Sequence, residues 1–557
     1  MTSQNGALGI LTESNVDVPM RDGVILRANL WLPDAPGEFP GIVIRTPYGK
    51  ASAGYERVVR AGYAVLCQDT RGRYDSDGEF TVFTTRTTDP EDGYDTVEWM
   101  ADQPWCNGRI GTMGASYVGW TQWMTARTRP PHLVATCARS IPLELTNVDW
   151  WGAFRPGRRL QWWLTTMAPD LRRRAGWPPP HTPAEAREIW NEIEQGRWIH
   201  MLPYVDIAQY LPPPLDSHVR DWLLHPARRA WRFDEAHAEI DVPNLDFTGW
   251  YDHCSSIGHL PGMQQNARTE TARKQTKVVI GPWSHATMGK RECLGIDFGP
   301  EAALDTRDLE IRWFDYWLKG VQNGTDQEPP VRYFVMGTGK WKTAASWPPP
   351  GLTPHTLYLH ADTTEEEALA DALPGKASTR SYSYDPKDPL PTLWSRSLMA
   401  GASERNRLDY RQDVLRYRTE PLEADLEIAG SPELVLYASS SAVDTDFFVW
   451  LSDESPDGKA IEICYGMVRA RHRNGYDQED FLTPGETTEF RIILGPTACC
   501  FRSGHRLRID ISSSDFPNFE RNHNTGKNDL IDCDFRVAHQ RLHHGPDAPS
   551  RLVLGIA

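Results

Sequence analysis

Three residues far apart in the chain, Ser116, Asp252 and His285, each stand just beyond a short apolar run. Ser116 lies in Gly111-Thr-Met-Gly114-Ala-Ser116-Tyr117-Val-Gly119, where the run 110–113 leads through a tight turn into a helix-like segment from Tyr117. A strained strand-to-helix turn of this kind lifts a serine above a sheet edge. The hydroxyl attacks only if a base takes its proton and a third group orients that base. The run 244–248 ends in Gly249-Trp250-Tyr251-Asp252, and the run 277–280 in Gly281-Pro282-Trp283-Ser284-His285. Nucleophile, acid and base would then sit on one rim, at the carboxyl ends of parallel strands. Read singly, the glycines mark an ordinary connection, Asp252 a turn residue and His285 a loop histidine. Their order and matching positions together argue for a site. Gly119 follows Ser116 by three residues, so the G-x-S-x-G pattern is not met in full.

The tetrahedral intermediate of acyl transfer needs donors for its oxyanion. The backbone N–H of Tyr117, at the helix start, is placed to supply one, helped by the helix dipole. The loop Arg45-Thr46-Pro47-Tyr48-Gly49-Lys50 should supply the second, with the Tyr48 phenol as candidate; a packed loop aromatic is the plain alternative.

These residues need a scaffold. The sequence 16–32 reads as two strands joined by the turn Met20-Arg21-Asp22-Gly23. Apolar runs at 41–44, 64–68, 110–113 and 133–137 alternate with helix-like segments such as 90–100 and 117–126, predicting a mostly parallel sheet covered on both faces. Residues 145–238 break the pattern: Trp, Arg and Pro accumulate and no strand is evident. Nine of the 22 tryptophans fall between Trp150 and Trp231. Strands return at 244–248 and 277–280, followed by an amphipathic helix over 305–319 with Ile311, Phe314, Tyr316, Trp317 and Leu318 on its apolar side. Beyond the prolines 348–350, alternating segments at 432–437, 445–451, 489–494 and 507–512 predict a β-sandwich or jelly roll. The expected organisation is an α/β core (1–144 and 239–350), an inserted helical cap (145–238) and a β domain (351–557).

At 557 residues the chain exceeds one hydrophobic core. The net charge of −16 disfavours a nucleic-acid partner. No apolar run of about 18 residues predicts a membrane span, and residues 1–19 do not read as a secretory signal. Nine scattered cysteines without CxxC spacing predict neither disulfides nor a zinc site, and a cytoplasmic location. No metal or cofactor motif is found.

The longer motifs carry a resemblance. VPMRDGV, RTPYGK, GYAVLCQDTRG, GASYVG, GWYD and GPWSH, with SSSAVDTDF and SGHRLRIDISSSDFPNFERNHNTG near the C-terminus, resemble the cocaine esterase (CocE/NonD) family of serine hydrolases. That family is related to X-prolyl dipeptidyl peptidases and α-amino acid ester hydrolases. The resemblance spans nearly the whole chain and is weakest in residues 145–238. It implies an α/β-hydrolase core, an inserted helical cap and a C-terminal jelly-roll domain, without a cofactor. It also implies a Ser116–His285–Asp252 triad, Tyr48 beside the Tyr117 amide as oxyanion donors, and G-x-S-Y-x-G in place of G-x-S-x-G.

The substrate this implies is a small ester or amide, cleaved through an acyl-enzyme. The acyl pocket would lie between cap and core, with Trp150, Trp151, Trp162 and Trp163 as candidate walls; packing of the cap is the plain alternative. Relatives that select α-amino acyl groups carry carboxylates just after the aspartate. Here His253, Cys254 and Ser255 follow it, so an α-amino anchor is not expected. Arg155, Arg158, Arg159, Arg172, Arg173 and Arg174 read as a solvated face; the sharper reading is that one of them, or His253, meets a substrate carboxylate. X-Pro dipeptidyl-peptidase or α-amino acid ester hydrolase action is the enzymatic alternative. A carbohydrate-binding module on an inactive scaffold is the non-enzymatic one. A homodimer is left open.

Overall fold

The computed structural model describes residues 9–81, 87–142, 154–155, 157–193, 198, 200–225, 235–252, 254–361, 367–393, 401–475 and 478–557. The apolar runs become strands β1 (Gly9–Pro19), β2 (Ile25–Asp34), β3 (Phe39–Thr46), β4 (Ala64–Asp69), β5 (Cys106–Ala115), β6 (Leu133–Arg139), β7 (Leu245–Tyr251) and β8 (Lys277–Ser284). A short ladder of β9 (Glu292–Cys293) and β10 (Ile296–Asp297) follows, then the hairpin β11 (Val331–Val335) and β12 (Lys340–Ala344). Hydrogen bonding orders them β1-β2-β4-β3-β5-β6 and β7-β8-β11-β12. A parallel bridge between Thr136 and Asn244 joins the two sets, and the Asn244 Oδ1 accepts from the Ala138 amide at 2.8 Å. From β4 through β11 every neighbour is parallel, so β3, β5, β7 and β8 end on one rim.

Alternation along each strand feeds two apolar layers. Val43 and Leu66 pack with Val97, Met100, Trp120 and Trp123, from helices α2 (Asp89–Ala101) and α3 (Tyr117–Thr128). Ile42, Ile44, Val65 and Cys67 face the other way, towards Val58 and Val59 of α1 (Glu56–Arg60) and towards helix Thr306–Lys319. That last helix corrects the sequence reading. Its buried side is Glu310, Trp313, Phe314 and Leu318, spaced three and four apart, while Tyr316 lies off it. Glu310 takes a core position because Arg139 and Arg307 each pair with it at 2.8 Å.

Among the described residues of 145–238 there are helices and turns but no strand, including α4 (Gly157–Trp162), α5 (Ala168–Arg174) and helix Leu215–Leu224. Leu160, Trp163, Leu164, Met167 and Val219 join the same apolar cluster as Tyr117 and Trp120, which seats this region over α3. No helix among the described residues is long and apolar enough to cross a membrane.

After β12 the described residues form a thirteen-stranded, largely antiparallel sheet system that includes Asp446–Glu454, Ala460–Arg469, Arg506–Ser512 and Ala538–His544. Inside it, His544 approaches the Tyr417 hydroxyl with Nε2 at 2.9 Å and the Ser378 carbonyl with Nδ1 at 3.3 Å. Only the neutral ring can accept from one and donate to the other, and burial pushes its pKa from 6.5 to about 4. The unfolded chain therefore takes up this proton as the pH falls below 6.5, before the folded one does. Stability is full above that value and declines towards the folded value. Between pH 7 and pH 5 this one group should remove about 2 kcal/mol. Urea midpoints at the two pH values should show His544→Gln with a shallower decline than the wild type; equal declines would exclude the assignment.

Candidate active site

Ser116 joins β5 to α3 with φ 61° and ψ −127°, a strained conformation for a residue with a Cβ. Two hydrogen bonds hold it: its N–H donates to Arg139 O of β6 at 3.0 Å, and its carbonyl accepts from the Trp120 N–H at 2.9 Å. Gly119 then explains the spacing that departs from G-x-S-x-G. A Cβ there would lie 2.8 Å from the Arg139 carbonyl oxygen, so only glycine lets α3 approach β6 beside the elbow.

The half-buried Tyr48 reaches the same point from the end of β3. Burial raises its phenol above the usual range. The hydrogen bond with Ser116, the Arg159 charge, and hydrogen bonds with Trp162 and the Tyr117 amide pull it back. The phenol oxygen thus sits among the Ser116 hydroxyl, the Trp162 indole and the Tyr117 N–H. The Tyr48 ring meets those of Tyr117 and Trp162 edge-on, each 6.4 Å away between centroids. Two residues that the sequence reading missed hold this loop. Fully buried Arg73 donates to Pro47 O at 2.9 Å and, at 2.8 Å, to the carbonyl of Met167, the last residue of the π-helical turn Trp163–Met167 that runs into α5. The Lys50 ammonium meets Asp69 at 3.1 Å. Their signal lay in the run Gln68-Asp69-Thr70-Arg71-Gly72-Arg73, which carries more charge than a buried strand end needs.

Asp252 and His285 follow the last residues of β7 and β8, where Tyr251 pairs with Ser284 after a one-residue register shift from the Gly249–Gly281 pair. A Cβ on Gly249 would lie 2.0 Å from the Trp283 carbonyl oxygen, so glycine permits the close crossing that brings the two ends together. The ring Nδ1 of His285 lies 2.8 Å from Asp252 Oδ1. A carboxylate only accepts, so Nδ1 carries the proton and Nε2 is left as the basic nitrogen. The Asp252 side chain is fully buried, whereas that of His285 is 25% exposed. The turn after β8 is pinned by the Ser284 N–H donating to Thr287 Oγ1 at 2.9 Å.

Of the expected pocket walls, Trp162 borders Tyr48, with the Arg159 guanidinium 5.3 Å from its ring centroid. Trp163 is 2% exposed and packs edge-on against His218. Trp150, Trp151, His253 and the side chain of Cys254 lie outside the described residues. The arginines divide. Arg155 is fully buried and donates to the Trp222 and His225 carbonyls, and Arg172 donates to those of Pro178, Pro179 and Tyr210. Arg173 pairs with Asp170, and Arg174 donates to Tyr74 O. Arg155, Arg172 and Arg173 thus find partners within residues 145–238, Arg174 reaches the loop after β4, and Arg159 has a charge that bears on Tyr48.

The chain is 33% identical to the cocaine esterase of Rhodococcus sp. (strain MB1 Bresler), over 98% of both chains. It belongs to the cocaine esterase (CocE/NonD) family of serine hydrolases. The family model X-Pro dipeptidyl-peptidase (S15 family) matches residues 22–287, and the X-Pro dipeptidyl-peptidase C-terminal non-catalytic domain matches 323–553. Among solved structures, an aminopeptidase from a marine sediment Thaumarchaeota archaeon superimposes with a TM-score of 0.84 at 23% identity, covering 100% of this chain and 98% of that one. A selenomethionine-labelled α-amino acid ester hydrolase does so at 0.78 and 23%, with 100% and 98% coverage. Both show the same fold. The hairpin β11–β12 falls in the second family model yet hydrogen-bonds to β8, so the two matched segments share one sheet.

Proposed function

We propose that this protein is a serine carboxylesterase or acylase that cleaves a small ester or amide through an acyl-enzyme on Ser116. The observation that carries the reading is the His285–Asp252 hydrogen bond of 2.8 Å, on the same sheet rim as the strained Ser116. His285 Nε2 takes the Ser116 proton as Oγ attacks the carbonyl, then returns it to the leaving alcohol or amine. The same nitrogen activates the water that releases the acid. The Tyr117 N–H and the Tyr48 O–H stabilise the oxyanion. The fold is read as an α/β-hydrolase core (1–144, 239–350) with an inserted cap (145–238) and a jelly-roll-like domain (351–557). The strand order 1-2-4-3-5-6-7-8 and the predominantly antiparallel C-terminal sheet support it.

Labelling with a fluorophosphonate tests the nucleophile. One adduct is expected on Ser116 and none in Ser116→Ala; an unlabelled wild type would leave the binding-module alternative. Esters should be turned over in preference to X-Pro anilides, since His253, Cys254 and Ser255 offer no carboxylate for an α-ammonium. Tyr48→Phe should lower kcat about 10²-fold with KM nearly unchanged, because the lost donor acts on charge that develops only in the transition state. An unchanged kcat would return Tyr48 to a packing role.

A further inference from the structure

A cavity lies away from Ser116, at the edge where β7, β8 and β11 begin. It encloses about 280 Å³, close to the size at which small-ligand pockets start. Register explains its lining. Leu245 pairs with Lys277, and Val279 pairs with Arg332, which in turn pairs with Thr343, so these side chains share one sheet face. Leu309 and Trp313 of helix Thr306–Lys319 close the opposite wall.

The charges in this cavity do not balance locally. Arg312, Lys277 and Arg332 line it with one carboxylate, Glu328, and Glu328 pairs with Arg312. Lys277 is 5% exposed, and its ammonium donates to the Glu328 backbone carbonyl at 2.5 Å. Arg332 stacks its guanidinium 4.8 Å from the Trp341 ring centroid. Among the described residues neither Lys277 nor Arg332 has a carboxylate within ion-pair distance. Burial lowers the pKa of Lys277 and of the half-buried Arg332; the charge of Glu328 acts the other way on both, and that of Asp326 on Lys277, and they offset the burial only in part. Removing a cation from water without a counter-ion is costly, and a bound anion would offset that cost. A protein of net charge −16 has no general shortage of carboxylates, so two cations left over an apolar floor are a local arrangement.

We propose that this cavity is a binding site for a small organic carboxylate with an apolar body. The carboxylate lies against the Arg332 guanidinium, which can hold it by two parallel hydrogen bonds, with the Lys277 ammonium as the second cation. The apolar part lies along Val279, Leu309 and Trp313. The site does not involve Ser116 and stands whether or not the esterase reading holds.

Calorimetric titration of the full chain with octanoate, against octan-1-ol as the uncharged match, tests the site. Octanoate is expected to bind saturably and the alcohol at least tenfold more weakly. Arg332→Leu and Lys277→Met should each weaken octanoate at least tenfold. Leu309→Trp should do the same by filling the cavity with both cations in place. Unchanged turnover of a p-nitrophenyl ester, or unchanged circular dichroism, certifies the fold of each variant. Absence of saturable binding to the wild type, equal binding of acid and alcohol, or wild-type affinity in all three variants would overturn the proposal; the last result would place the octanoate elsewhere.

Discussion

Asp252→Asn is expected to lower kcat about 10⁴-fold while KM changes only a few-fold, the magnitude known for loss of the orienting carboxylate in serine triads. The wild-type carboxylate lies 2.8 Å from His285 Nδ1 and fixes the proton there. An asparagine of the same shape can turn its NH₂ towards Nδ1, and the ring then keeps its proton on Nε2, where it must instead accept the one from Ser116. A second loss comes with turnover: the imidazolium formed on attack has no anion beside it in a site where the acid side chain is fully buried. Steady-state kinetics on a p-nitrophenyl ester at pH 7 and pH 9 measure the effect. Fluorophosphonate labelling should slow in parallel, because it uses the same base. A loss of less than tenfold in both would mean that Asp252 does not orient His285.

The residues of this site were legible because strand ends are legible. Apolar runs ending in Gly-Trp-Tyr-Asp and Gly-Pro-Trp-Ser-His locate Asp252 and His285 without knowledge of how β7 pairs with β8. The structure adds the reason for the glycines, since Gly249 and Gly119 each abut a carbonyl oxygen of a neighbouring strand. The phase of helix Thr306–Lys319 was not legible. Tyr316 is aromatic by type and Glu310 charged, and only the arginines at 139 and 307 make the glutamate the better core residue. Arg73 escaped notice for a similar reason: it donates to backbone carbonyls at Pro47 and Met167, which leave no mark in a sequence, and the buried Asp170 carboxylate 3.8 Å from it is remote in the chain. In each case the decisive partner is remote in the chain, or is backbone, and side-chain type is silent about it.

The same blindness hides a heavily charged part of the core. Arg469 meets Asp446 through two hydrogen bonds of 2.9 Å and Glu520 through a third of 3.1 Å, all buried. Arg471 pairs with Asp529 and, at 3.4 Å, with Asp444, while Asn522 donates to Asp444 and Asp446 at 2.7 and 2.9 Å. Glu520 in turn accepts from the Arg155 N–H, and the Arg469 guanidinium lies 4.6 Å from the Phe154 ring centroid. The cluster therefore holds residues 154–155 against the C-terminal β sheet. Arg469→Leu should destabilise the protein by about 3–5 kcal/mol, because it strands buried carboxylates that its charge offsets. The loss should depend on pH. Burial already raises Glu520 to about 7 and Asp444 to about 6, so these acids can take up protons instead of standing unpaired. Raised folded values favour the folded state below the unfolded carboxylate range and disfavour it as the pH climbs through them. The variant should then lie nearer the wild type at pH 5 than at pH 8, in urea midpoints read at both. A deficit under about 1 kcal/mol at pH 8, or one that does not shrink on acidification, would show that Asp446 and Glu520 find water or Arg471 once Arg469 is gone.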